Sequence, residues 1–176
     1  MFDTPPGRDY VAPRRTLLAC IFTPNPMQLI DFFTPSAVNL TLRGRTKDDI
    51  LAELVQLLDV DTRSSETLLR MLSRRESLGS TGIGRGVAVP HARSLVVNRL
   101  RLAFGRSPEG IEYQAIDSRP VHYFFLIVAP PVEISNQYLP VLGKIAQFAN
   151  RPDVPESLAA LGSAEEFFWL LESRSV

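Results

Sequence analysis

The stretch Ser80–Arg93, STGIGRGVAVPHAR, holds one of only two histidines in the chain. An imidazole set behind a glycine-spaced turn and directly after Pro90 suits three kinds of chemistry. It can ligate a metal, act as a general base, or itself carry a transferred group. A metal site needs three or four ligands. His91 and His122 are the only imidazoles, the single Cys20 is remote in sequence, and no carboxylates stand at ligand spacing. A hydrolytic triad needs a nucleophile, a base and an orienting group. Ser80 and Ser94 are near His91 in sequence, but neither sits in a G-x-S-x-G elbow. Gly79, Gly82, Gly84 and Gly86 form neither a GK[ST] phosphate loop nor a G-x-G-x-x-G fingerprint.

The covalent reading is the best supplied with partners. A neutral imidazole is a good nucleophile near pH 7, and a phosphoryl group on it needs guanidinium or backbone N–H donors. Arg75, Arg85 and Arg93 are close in sequence, the glycines leave amides unshielded, and Ser80 and Thr81 add hydroxyls. The residue types alone leave all three readings standing.

The elements that must position this stretch read as follows. Ala37–Leu42 is expected as a short strand. Thr46 with Asp49 has capping-box spacing and opens a helix with an apolar stripe of Ile50, Leu51, Leu54, Val55, Leu57 and Leu58. A second helix is expected over Ser65–Glu76, with Arg74 and Arg75 in its last turn, where cations suit the negative helix end. Gly79 stops it. Val87–Val89 and Val96–Phe104 read as strands, with a loop bracketed by Gly105 and Gly110. Val121–Val128, VHYFFLIV, reads as a central strand covered on both faces, closed by Pro130 and Pro131. Helices are expected over Ser135–Ala149, from Pro155 through Leu161, and from a second capping box at Ser163 and Glu166. His122 and Trp169 read as structural residues. The fold class expected is α/β, a mixed β-sheet flanked by helices.

Bulk composition narrows the functions further. Nineteen basic residues balance nineteen acidic ones in 176, so no bulk field draws nucleic acid or an anionic membrane. One cysteine excludes a disulfide framework and fits a reducing cytoplasm. No run of about 18 apolar residues exists to span a bilayer. Residues 1–26 are rich in proline and lack periodicity, so they are expected as a disordered extension or a misassigned start, with the domain over 27–176. Within them RRTLLACIF faintly resembles an export signal, but its apolar core of about seven residues is at the short limit.

The ordered block R-E-x-x-G-S-T-G-I-G-x-G-V-A-V-P-H-A-R, Arg75–Arg93, resembles the active-site region of the mannitol/fructose-type IIA domains of the bacterial phosphotransferase system, which include a nitrogen-regulatory branch. The likeness continues through GIEYQAIDSRPV (Gly110–Val121), FFLIVAP (Phe124–Pro130) and YLPVLGKIA (Tyr138–Ala146). The resemblance implies that fold and a phosphoryl carrier with no cofactor beyond the phosphoryl group on its histidine. His91 would be the acceptor and Arg75 the active-site arginine, with Arg93, Thr81 and Ser80 as candidate phosphate contacts and Glu76 as a structural anchor. The donor would be the histidine-containing phosphocarrier protein. The phosphoryl group would pass to a IIB domain, or stay as a regulatory mark read by a kinase or transporter. Family members usually carry a second histidine where this chain has Tyr138. That departure bears on onward transfer and favours a regulatory role, with a weakly phosphorylated binding protein of the same fold as the alternative.

Overall fold

The computed structural model describes residues 27–131 and 136–174. The expected extension over 1–26, its export-like segment and the helix start at Ser135 lie outside the described residues.

Six strands and five α-helices follow one another along the described chain: β1 (Phe33–Asn39), α1 (Lys47–Gln56), α2 (Thr62–Ser77), β2 (Gly82–Gly84), β3 (Val87–Ala88), β4 (His91–Arg93), β5 (Arg101–Ile111), β6 (Val121–Ala129), α3 (Tyr138–Ala149), α4 (Val154–Ala159) and α5 (Ala164–Ser173). The strands form one mixed sheet in the order β1-β5-β6-β3-β2, with β4 also paired to β6. β1 runs parallel to β5, β5 antiparallel to β6, and both β3 and β4 parallel to β6. This is the mixed, helix-flanked sheet expected from the sequence.

β6 decides the layering. Its residues alternate between two faces. Tyr123, Phe125, Ile127 and Ala129 join a core with Val141, Ile145, Phe148 and Phe167 of α3 and α5. Phe124, Leu126 and Val128 join a second core with Ile50, Leu54, Leu68 and Leu72 of α1 and α2. An unbroken apolar run is therefore what a strand between two helical layers requires.

Thr46 and Asp49 form the expected capping box, each side chain bonding the other's backbone N–H. At α5, Ser163 Oγ accepts from Glu166 N, but Glu166 Oε2 accepts from Gly162 N, one residue beyond the expected partner. α2 begins at Thr62 rather than Ser65, because Asp61 accepts from Ser64 N and caps it. β1 lies at Phe33–Asn39, earlier than the expected Ala37–Leu42.

The expected loop between Gly105 and Gly110 is instead part of β5, which pairs with β6 from Arg101 to Ile111 through an irregularity after Arg106. Gly105 sits there because a Cβ would come within 2.5 Å of Leu42 Cδ1 and 2.9 Å of Leu54 Cδ2. No helix among the described residues is long and apolar enough to cross a membrane.

Candidate functional site

His91 opens β4, opposite Ile127 of β6. The preceding proline interrupts the run from β3, yet its carbonyl still accepts from Ile127 N at 2.9 Å. The imidazole thereby sits at the sheet margin, where the end of α2, β4 and the first turn of α3 meet. It lines an open depression of about 460 Å³ with Met71, Arg74, Arg75, Leu78 and Tyr138.

Two contacts fix the ring. Nδ1 lies 2.8 Å from the Val89 carbonyl oxygen, which can only accept, so Nδ1 carries the proton. The lone pair is then on Nε2, and Arg75 Nε donates to it at 3.1 Å. Arg75 is itself anchored, its Nη1 donating to the Gly79 carbonyl at 2.8 Å. Burial, opposed by the Val89 carbonyl and helped by the Arg75 charge, lowers the His91 pKa, with Glu76 pulling weakly upward. The neutral, nucleophilic form is therefore the one favoured at pH 7.

Glu76 builds the wall behind Arg75. Buried at the end of α2, its carboxylate accepts from Thr81 N and from Thr81 Oγ1 at 2.6 Å, and pairs with Lys47 Nζ at 3.3 Å. It ties the Gly79–Thr81 turn to the helix that carries Arg75, the anchoring role expected of it. The same contacts engage the Thr81 hydroxyl. Ser80 Oγ donates to the Tyr113 carbonyl at 2.6 Å, so the hydroxyls of both residues are engaged in holding the turn to its neighbours.

Arg93 shares the strand face of His91, two residues on. Its guanidinium lies 4.3 Å over the Tyr138 ring, and its Nη1 donates to the Pro130 carbonyl at 3.0 Å. It thus braces both ends of the connection between β6 and α3. The Tyr138 ring is 5.9 Å from that of His91. Burial raises the Tyr138 pKa against the pull of Arg93 and Arg75, so the phenol stays neutral.

The structure brings His91, Arg75, Arg93 and Tyr138 together and sets Ser80 and Thr81 into the supporting turn. Sequence reading overlooked Lys47, Tyr113 and the Val89 carbonyl. Lys47 reaches Glu76 across 29 residues, a pairing without a local signal. Tyr113 lies under the Lys47 ammonium, 4.8 Å from ring centroid to nitrogen. Among the described residues no group of three or more His, Cys, Asp or Glu is placed to hold a metal.

A family model, "Phosphoenolpyruvate-dependent sugar phosphotransferase system, EIIA 2", matches residues 31–174. A fructose-specific EIIA component from Haloferax volcanii is 32% identical over 142 residues, covering 78% of this chain and 85% of that protein. A nitrogen regulatory protein from Bradyrhizobium diazoefficiens is 27% identical over 146 residues, covering 82% and 95%. The fructose-specific EIIABC component of Bacillus subtilis is 30% identical over 134 residues, 75% of this chain but only 21% of that protein's length. Among solved structures, nitrogen regulatory protein IIA-Ntr from Neisseria meningitidis superposes with a TM-score of 0.73 at 32% identity, covering 80% of this chain and 97% of that one. IIA mannitol from Escherichia coli shares the fold, with a TM-score of 0.63 at 21% identity, covering 78% and 97%. The match runs through both helical layers and the strand that carries His91, and it places the chain in the EIIA type 2 family of the phosphotransferase system, a family of phosphoryl carriers.

Proposed function

We propose that His91 accepts a phosphoryl group on Nε2 from a phosphorylated histidine-containing phosphocarrier protein. The observation that carries this reading is the paired restraint on the ring: Val89 holds the proton on Nδ1, and Arg75 faces the lone pair on Nε2. In the step, that lone pair attacks phosphorus. The bond from phosphorus to the donor's nitrogen breaks, and its electron pair returns to the donor ring. The Nδ1 proton stays in place, so the phosphorylated ring is a cation whose N–H points at the Val89 carbonyl. Arg75 turns from the lone pair to the arriving phosphoryl oxygens, exchanging one charge-assisted contact for another. ATP takes no part.

A protein donor must reach the ring, and the surroundings support docking. Leu78, beside Met71 and the cations of Arg74 and Arg75, is 81% exposed, and Leu139, next to Tyr138 in α3, is 67% exposed. Exposed apolar side chains around a reactive group, with positive charge among them, suit a partner carrying a phosphate. From His91 the group passes to a IIB domain or remains as a mark that regulates a kinase or transporter. Tyr138 favours the second course, because a neutral phenol adds no cation beside the phosphate. The same observation supports the alternative of a regulatory binding protein that is only weakly phosphorylated.

Intact mass after incubation with the phosphoenolpyruvate-driven relay tests the reading. Wild type gains an acid-labile mass of about 80 Da, one phosphoryl group, and His91→Ala gains none. No gain on wild type, or an equal gain on the variant, refutes it.

A further inference from the structure

The pole of the sheet away from His91 carries a second cluster of cations that phosphoryl carriage does not use. Gly84 pairs with Val87 across the β2–β3 hairpin, leaving Arg85 and Gly86 as a two-residue tip. Both have positive φ, +56° and +74°. That is the type I′ arrangement, in which asparagine, aspartate or glycine is favoured at the first position. An arginine held there costs about 1 kcal/mol or more. The turn itself gains nothing from a guanidinium.

Asp117 brings a second arginine to the same rim. One carboxylate oxygen accepts from Arg85 N at 2.9 Å and the other from Arg119 N at 3.2 Å. The Gly86 carbonyl accepts from His122 N and Tyr123 N, pinning the tip to the start of β6. Between these parts lies a cavity of about 580 Å³, walled by Arg85, Arg119, Pro120, His122, Tyr123 and Pro155. Two polar groups of its wall have partners within the fold. His122 Nδ1 bonds the Ser107 carbonyl at 3.1 Å, and the Tyr123 hydroxyl donates to the Pro155 carbonyl at 3.0 Å. The guanidiniums of Arg85 and Arg119 make no hydrogen bond or ion pair among the described residues. The Asp117 carboxylate, held ionised by those two backbone N–H groups, acts on Arg119 and offsets part of the positive field, leaving the two guanidiniums in excess by one charge.

We infer that this cavity is a second site, one that recognises a small phosphate monoester. Two guanidiniums at the rim offer forked donors to phosphate oxygens, while proline and aromatic walls take an apolar body. His122 is five residues along β6 from Ile127, the partner of His91, which separates the two sites by about 17 Å. The site is therefore independent of the phosphoryl acceptor, and its test does not depend on phosphorylation.

The probe is phenyl phosphate, titrated into the full-length labelled protein at constant ionic strength and followed by amide NMR. Saturable shifts are expected at Arg85, Gly86, Arg119 and His122, and they persist in His91→Ala. Arg85→Asn, which suits the I′ turn, combined with Arg119→Gln, weakens binding by about tenfold or more, the loss of at least one charge-assisted contact. Inorganic phosphate shifts the same amides more weakly, having no apolar body. Shifts that do not saturate, that sodium chloride reproduces, that gather only around His91, or that survive the double substitution overturn the proposal.

Discussion

Replacing Arg75 by methionine removes the guanidinium while keeping the helix and much of the stem's packing. In the unphosphorylated protein Arg75 Nε donates to His91 Nε2 at 3.1 Å and Nη1 holds the Gly79 carbonyl at 2.8 Å. The guanidinium is thus already within one contact distance of the nitrogen proposed to accept phosphorus. A charge-assisted hydrogen bond contributes about 1.5–3 kcal/mol, and Arg75 is half-exposed, so solvent screening places the effect toward the lower end. If Arg75 meets the phosphoryl group only as it arrives, the loss appears as about tenfold slower transfer. Quench-flow with intact-mass detection, starting from the phosphorylated carrier, reads this rate. A second readout separates the role from damage to the fold. The Arg75 charge lowers the His91 pKa, so its removal lets that pKa rise while the effect of burial stays. NMR titration of the ring follows this directly. Arg75→Lys keeps the charge without the fork, and its rate falls between the two. Transfer within a factor of two of wild type, with an unmoved His91 titration, refutes the role assigned to Arg75.

Three further outcomes follow from the same geometry. Glu76→Ala strands Lys47 and frees the Gly79–Thr81 turn, so urea unfolding is expected to show a loss of about 3 kcal/mol; a loss under 1 kcal/mol counts against the anchoring role. The folded-state His91 pKa is lowered, so the unfolded chain binds the extra proton first as pH falls. The stability that neutral His91 contributes is present above the unfolded value and is lost as pH drops through the folded one. Thermal unfolding below about pH 6.5 should weaken wild type more than His91→Gln, and parallel curves would contradict this. Gly105→Ala forces a methyl group against Leu42 and Leu54, and is expected to cost about 1–3 kcal/mol by denaturant unfolding; an unchanged midpoint would show that the two leucines yield freely.

Local chemistry made much of this legible in the sequence. The capping box at Thr46 and Asp49 is complete within four residues, and the run through Phe124–Val128 announces burial on both faces without reference to any partner. The hidden features depend on distance in sequence. Gly105 and Gly110 look like loop punctuation, yet Gly105 is glycine because Leu42 and Leu54, remote in the chain, close over it. The Glu76–Lys47 pair and the nitrogen of His91 that carries the proton depend equally on groups that only the fold assembles. Ser80 and Thr81 look like phosphate contacts because they are hydroxyls near a histidine. The fold uses those hydroxyls to fasten the turn to α2 and to the Tyr113 carbonyl.

Tyr138 and Arg93 illustrate the same coupling, and they change what a substitution at 138 should do. Restoring a histidine there looks like a simple way to add a cation beside the phosphoryl group. Yet the Arg93 guanidinium lies 4.3 Å over the ring at this position and is held by the Pro130 carbonyl, while Arg75 also acts on the Tyr138 phenol. An imidazole between two guanidiniums in a half-buried setting is pushed toward its neutral form, by desolvation and by like charge. Tyr138→His alone is therefore expected to leave the transfer rate at pH 7.5 nearly unchanged, with the new ring titrating below the ordinary histidine value. Tyr138→His combined with Arg93→Ala removes one of the repelling charges. The titration of the introduced imidazole should then move up and the transfer rate rise, while Arg93→Ala alone does not raise it. The two variants are compared by ring NMR and by single-turnover transfer to a IIB domain. If Tyr138→His alone titrates at the ordinary value and already accelerates transfer, the aromatic ring and the arginine are not a unit, and Arg93 has no part in keeping position 138 neutral.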